Sequence, residues 1–127
     1  MARAFDLQDT LVRINYNAQD LFAAIAQADK LYTPVGDFIV ISAQPTSGAI
    51  RGAIRTMIND KYPNCTNIYF VSGSEQQVIS AKARAIKNHS VTEFTDNNTA
   101  ILKELSLRLP NVKFYKISNG KRTVFNG

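Results

Sequence analysis

The chain holds one cysteine, one histidine and no tryptophan in 127 residues. A single thiol, Cys65, excludes an internal disulfide, and one thiol with one imidazole, His89, cannot build a Cys/His zinc cage. A bound metal would therefore take oxygen ligands. No apolar run approaches the length of a bilayer-crossing helix, and the opening MARAFDLQDT lacks the basic, apolar and small-residue zones of a secretory signal. A cytoplasmic protein with no membrane partner is expected, and the Asn-x-Ser/Thr triplets at 64, 88 and 97 then read as chance matches. Neither a G-x-x-x-x-G-K loop nor a G-x-G-x-x-G turn occurs, so nucleotide cradles of those kinds are unsupported. No internal repeat, low-complexity tract or linker interrupts the chain.

What is present suits one folded domain spanning 1–127. Hydrophobic residues make up 45 % of the chain and charged residues 20 %, a balance that can bury a core. The net charge of +5 favours anionic partners such as phosphate esters, nucleotides or nucleic acid, although a solvated basic surface is the simpler explanation.

Apolar spacing alternates between two kinds of segment. Arg3 to Leu7 starts apolar and runs into polar Gln8-Asp9-Thr10, as a buried strand does when its end opens onto a site. Leu21, Ala24, Ile25 and Ala28 follow helical spacing, with Asn17 or Asp20 placed to cap the start. Thr33 to Asp37 breaks the chain, and Phe38-Ile39-Val40-Ile41 is an unbroken run suited to a parallel strand covered on both faces. Ile50, Ala53, Ile54, Met57 and Ile58 form a second helical stripe, with Arg51 and Arg55 outward and Pro63-Asn64 at its end. A third strand is expected over 67–71, a helix over 75–88 with Val78, Ile79, Ala83 and Ile86 inward, and a fourth strand over 91–95. Ile101, Leu102, Leu105 and Leu109 make a last helix stopped by Pro110, and 112–117 a fifth strand. Asn119-Gly120 is a strong hairpin signal, returning 122–125 as an antiparallel edge strand. Strands alternating with helices imply an α/β sandwich with its site at the strand C-terminal ends.

Polar residues gather at those ends: Asp6, Gln8 and Thr10 after the first strand, Ser42 after the second, and Asp96, Asn97 and Asn98 after the fourth. Two carboxylates brought together repel unless they share a proton or a hard cation, for which Mg²⁺ is the natural candidate. Lys82, on the helix preceding the fourth strand, can add the positive charge that a phosphoryl group needs.

Phe5-Asp6-Leu7-Gln8-Asp9-Thr10-Leu11-Val12 resembles the first motif of the haloacid dehalogenase (HAD) phosphohydrolase superfamily, an apolar strand ending in Asp-x-Asp-x-Thr, with Gln8 in place of the second Asp. Ile39 to Pro45 resembles the second motif, an apolar strand ending in Thr or Ser. Lys82 to Lys87 resembles the third, whose Lys lies one short strand before the acidic fourth motif. Phe94-Thr95-Asp96-Asn97-Asn98 resembles that fourth motif, with Asn97 in the second acidic place. The four occur in the family's order between Arg3 and about Leu109.

The resemblance implies a Rossmannoid three-layer sandwich, a mainly parallel five-stranded sheet with helices on both faces and a C-terminal antiparallel hairpin strand. It implies a Mg²⁺-dependent phosphatase in which Asp6 accepts the phosphoryl group and Asp6, the Gln8 carbonyl, Asp96 and Asn97 surround the metal. Thr10 would orient the first loop, and Ser42 and Lys82 would hold phosphoryl oxygens. Each also has an ordinary structural role to fill: a turn hydroxyl at Thr10 and Ser42, a solvated helix face at Lys82. Gln8 cannot serve as acid or base, so a general acid–base contribution of roughly 10²–10⁴ in rate is lost. The intervals between motifs each hold about one helix, so a cap domain is absent and the site open. An open site suits a macromolecular or nucleotide phosphate, with Arg13, Arg51 and Arg55 available to an anionic polymer. The alternative is a degenerate HAD fold that binds a phosphorylated, nucleotide or nucleic-acid partner without turnover. A receiver-like signalling domain fits less well, because its phosphoacceptor follows the third strand. His89 reads as a C-terminal helix cap or a surface residue, and Cys65 as a half-buried, unactivated thiol.

Overall fold

Residues on the central strands alternate between two apolar cores, and that alternation sets the layers. In the computed structural model, which describes residues 2–43 and 47–127, the elements run β1 (Ala2–Phe5), β2 (Val12–Arg13), α1 (Leu21–Ala26), β3 (Asp29–Lys30), β4 (Phe38–Ala43), α2 (Gly48–Lys61), β5 (Cys65–Val71), α3 (Glu75–Asn88), β6 (Val91–Asp96), α4 (Thr99–Arg108), β7 (Lys113–Ser118) and β8 (Lys121–Val124). Phe5, Phe38 and Val40 pack with Ile25 of α1 and Ile54, Met57 and Ile58 of α2 on one face of the sheet. Ala4, Ile39 and Ile41 pack with Ile79 and Ile86 of α3 and Leu102 and Leu105 of α4 on the other. Successive strand side chains point to opposite faces, so an unbroken apolar run is what a strand covered on both sides requires. Fully burying each such Ile, Leu or Phe contributes about 1.5–3 kcal/mol.

Six strands form one sheet in the order β5-β4-β1-β6-β7-β8, parallel except for β8. This is the Rossmannoid three-layer sandwich expected from the sequence, closed by the antiparallel β7–β8 hairpin. Asn119 and Gly120 take φ of 51° and 77°, the left-handed pair that a tight hairpin turn needs. A Cβ at Gly120 would lie 2.9 Å from the Leu31 carbonyl oxygen, so glycine also lets the turn approach the β3 region closely.

The chain steps from β1 outward through β4 to β5, then returns across β1 to β6 and β7. The direction of winding therefore reverses between β1 and β6, where a doubly wound sheet opens a crevice at its strand C-terminal ends.

The helices follow their caps. Ser47, Ser74 and Asn98 accept from Ile50, Gln77 and Ile101 backbone N–H groups, and Ser74 and Gln77 complete a reciprocal capping box. Asp20, one of the two residues expected to do so, caps α1.

Several boundaries differ from the sequence reading. Helix α1 ends at Ala26, so Ala28 is buried beyond it in the turn to β3. Strand β5 begins at Cys65, which lies in the strand rather than before it, and β6 runs on to Asp96. The first interval holds more than one helix: β2 and β3 pair as a separate antiparallel two-stranded flap around α1. Two-residue strands are too short to show a period of two, and only the tertiary pairing reveals them. Gln44 and Pro45 of the second motif lie outside the described residues.

Candidate phosphoryl and metal site

At their C-terminal ends the neighbouring strands β1 and β6 run out of apolar residues together. The Asp6 N–H donates to the Thr95 carbonyl at 2.9 Å, continuing the β1–β6 ladder one step past the strand and setting Asp6 beside Asp96. Lys82 comes from the third turn of α3, the helix packed on that face of the sheet. Its ammonium donates to Asp6 Oδ1 at 3.2 Å and to Asp96 Oδ2 at 2.9 Å. The Lys82 side chain is 2 % exposed, so it is a core cation and not part of a solvated helix face.

The two carboxylates are held differently. Asp96 is fully buried, with one oxygen on Lys82 and the other accepting from the Asn98 N–H at 3.0 Å. Asp6 is 8 % exposed and its Oδ2 faces the Thr10 hydroxyl at 3.5 Å. The same hydroxyl lies 3.4 Å from Asn97 Oδ1, so Thr10 ties the first loop to the end of β6. Burial, and next the charge of Asp96, raise the Asp6 carboxyl to about 7, only partly offset by Lys82. For Lys82, burial alone would lower the ammonium's affinity for its proton, but the charges of Asp6 and Asp96 outweigh it and raise it.

The loop after β1 is a tight turn. Thr10, Leu11 and Val12 N–H groups all donate to the Leu7 carbonyl, and Asp9 takes φ of 58°, a conformation Asp tolerates better than most residues. This turn brings Thr10 back over Asp6. The Tyr62 hydroxyl anchors its far side, lying 2.6 Å from the Leu11 carbonyl oxygen and 2.8 Å from that of Tyr32, and burial raises its pKa.

Gln8 points elsewhere. Its Oε1 accepts from the Ile14 N–H and its Nε2 donates to the Ile14 carbonyl, both at 3.0 Å. The amide thus imitates a strand partner and binds the first loop to the flap beyond β2. A cavity of about 420 Å³ lies beside it, lined in part by Asp9, Arg13, Asn15, Tyr16 and Asp29.

Of the residues singled out from sequence, Asp6, Thr10, Lys82, Asp96 and Asn97 meet in one cluster. Ser42 is fully buried near the C-terminal end of β4, the strand next to β1. His89 caps the C-terminal end of α3, at the opposite end of the sheet, and stacks on Tyr69. Cys65 is half-buried, with its thiol pKa raised first by burial. Arg13 is engaged by Asp9 at 3.1 Å, while Arg51 and Arg55 lie over the Phe70 ring.

Sequence reasoning passed over three supports. Tyr62 and the Ile14 backbone hold the first loop, and Arg122 of β8 donates to Thr95 Oγ1 at 2.9 Å and to Glu93 Oε1 at 3.1 Å, bracing β6 just before Asp96. Tyr62 and Arg122 have no local signal, because their partners lie 51 and 27 positions away.

Among the described residues no group of three or more His, Cys, Asp or Glu side chains converges as a ready metal cage. The side-chain oxygens brought together here are those of Asp6, Asp96 and Asn97. Mg²⁺ is commonly held by one or two carboxylates together with water and substrate phosphate, so this sparse, hard donor set fits it. The electrostatics agree: two carboxylates share one ammonium. No family model matches the chain, and no curated protein or solved structure matches it significantly.

Proposed function

We propose that the chain is a HAD-like, Mg²⁺-dependent phosphoryl-transfer protein in which Asp6 accepts the phosphoryl group. The observation that carries this reading is the Lys82 ammonium held between Asp6 and Asp96 where the sheet reverses its winding. Of the two acids, Asp6 is the one a substrate can approach, since both oxygens of Asp96 are committed within the core. Asp6 would form the bond to phosphorus while Lys82 and the hydroxyls of Ser42 and Thr10 stabilise the oxygens around it. Bound Mg²⁺ would supply charge neutralisation between the carboxylates and the phosphate. The order of the four HAD-like motifs supports the same assignment, and the absence of an inserted domain between β1 and β6 suits a macromolecular or nucleotide phosphate.

Gln8 favours a second reading, in which the site binds a phosphorylated partner with little turnover. A side chain that neither titrates nor faces the cluster cannot carry the leaving group's proton. Phosphate release from an aryl phosphate and from an acyl phosphate, each with Mg²⁺ and with chelator, separates the two. Mg²⁺-dependent release abolished by Asp6→Asn is the expected result. Release that persists in Asp6→Asn would overturn the assignment of the acceptor. Phosphate affinity that depends on Lys82 without release would favour the binding reading.

A further inference from the structure

Gln8 divides the reaction into two unequal halves. Resting on the assignment of Asp6 as acceptor, we propose that the phosphorylated form of Asp6 is long-lived, so that the chain works as an acyl-phosphate-charged phosphoprotein more than as a hydrolase. The juxtaposition behind this is the Gln8 amide bonded at both ends to Ile14 while Asp6, the less buried of the two acids, lies beside Thr10 and Lys82.

In the first half-reaction an Asp6 carboxylate oxygen bonds to the phosphorus of an acyl phosphate. The bond from phosphorus to the acyl oxygen breaks, and its electron pair leaves with a carboxylate. That leaving group is stable without a proton, so no acid is required. The products are a mixed anhydride on Asp6 and the free carboxylate.

In the second half-reaction a water oxygen must bond to the phosphorus and give up a proton as the phosphorus–Asp6 oxygen bond breaks, returning the carboxylate and releasing inorganic phosphate. Among the described residues, none of the side chains bonded in this cluster is placed to take that proton. Asp96 has its oxygens on Lys82 and the Asn98 N–H. Asp9 turns outward to Arg13, in a left-handed residue that directs it away from the turn's interior. Thr10 and Asn97 bear a hydroxyl and an amide, and the sole histidine lies at the far end of α3. By resemblance to the HAD first motif, position 8 is where an acid and base would stand, and here its amide is a clamp on the flap.

The clamp explains why an amide stands there. An Asp at position 8 is shorter and can accept from Ile14 N–H but cannot donate to its carbonyl, so the two-point bond is specific to an amide of this length. Gln8→Glu keeps the length and one of the two bonds while adding a titratable group.

The test is intact-protein mass spectrometry of the full chain incubated with acetyl phosphate and Mg²⁺, followed by removal of the donor. The expected result is one added phosphoryl group per chain, mapped to Asp6 and missing in Asp6→Asn. Its decay should quicken by about 10²–10⁴ in Gln8→Asp, and by less in Gln8→Glu, whose carboxylate stays partly held at the Ile14 N–H. Gln8→Glu decides the matter if Gln8→Asp does not fold. Multiple-turnover phosphate release by the parent chain with no accumulated adduct would overturn the inference while leaving Asp6 as acceptor. Adduct lifetimes unchanged in both variants would overturn the role of Gln8. Neither adduct nor release would overturn the underlying assignment as well.

Discussion

The loop after β1 and the loop after β6 end neighbouring parallel strands, share one ammonium, and yet behave differently. After β6 the chain passes through two residues, Asn97 and Asn98, straight into α4, and Asp96 is locked at both oxygens while Asn98 caps the helix. After β1 it makes a tight turn, crosses to a flap, and leaves Asp6 partly open and its carboxyl raised to about 7. A short strand-to-helix connection anchors its acid at both oxygens, whereas a turn pinned to the Ile14 backbone leaves its acid slightly open to solvent. The cost of that arrangement is stored in Asp6, as an ionised carboxylate that the fold disfavours.

Lys82→Met should blur the distinction most, because it leaves both carboxylates facing each other in the core. A loss of about 3–5 kcal/mol is expected from chemical denaturation at neutral pH, shrinking in acid where a proton can replace the ammonium. A loss of under 1 kcal/mol would show that the ammonium is not the common support.

Asp6→Asn should act in the opposite direction. The carboxyl's folded value of about 7 lies above its unfolded value of 3.8, so folding favours the protonated form. Stability from this group is complete below about pH 4 and is lost as pH rises through 7. The amide imitates the protonated state, so in Mg²⁺-free buffer at pH 8 the variant should be more stable by roughly 2–4 kcal/mol, with the gain vanishing near pH 4. Equal gains at both pH values would contradict the asymmetry between the two acids.

Asp96→Asn sharpens the contrast by removing the anchor's charge but not its shape. Loss of the charge-assisted bond to Lys82 should cost about 1–3 kcal/mol in thermal or denaturant unfolding. The Asp6 carboxyl should then titrate below 7, read from its side-chain NMR shift, since its repelling neighbour is gone and Lys82 is left to it alone.

The smallest effect is expected from Gln8→Ala, which frees the flap from the first loop. Losing two bonds to Ile14 should cost about 1–2 kcal/mol, with amide hydrogen exchange at Ile14 rising while that at Asn98 stays unchanged. Parallel changes at both amides would mean that the two loops open as one unit.

Much of the sheet could be read in advance because its strands and helices carry strong local periods. Phe38 to Ile41 can hardly be anything but a strand covered on both faces, Ser74 to Gln77 announces a helix start, and Asn119-Gly120 announces a hairpin. The acids at 6 and 96 stand out for the same reason, as polar residues ending apolar runs. The flap strands were not legible, being two residues each, and Lys82 carried no sign of burial beyond its place near an acidic motif.

Residue type and spacing by themselves determined an alternating α/β chain with acids, amides and hydroxyls at its strand ends, because those patterns act over a few residues. Only the tertiary structure decided that Lys82 would lie within 3.2 Å of both acids, that Thr10 would bridge Asp6 and Asn97, and that Gln8 would turn to Ile14. The first two depend on which groups are brought together across 76 and 87 positions and on how buried charges must then be paired, and neither is encoded in a local window.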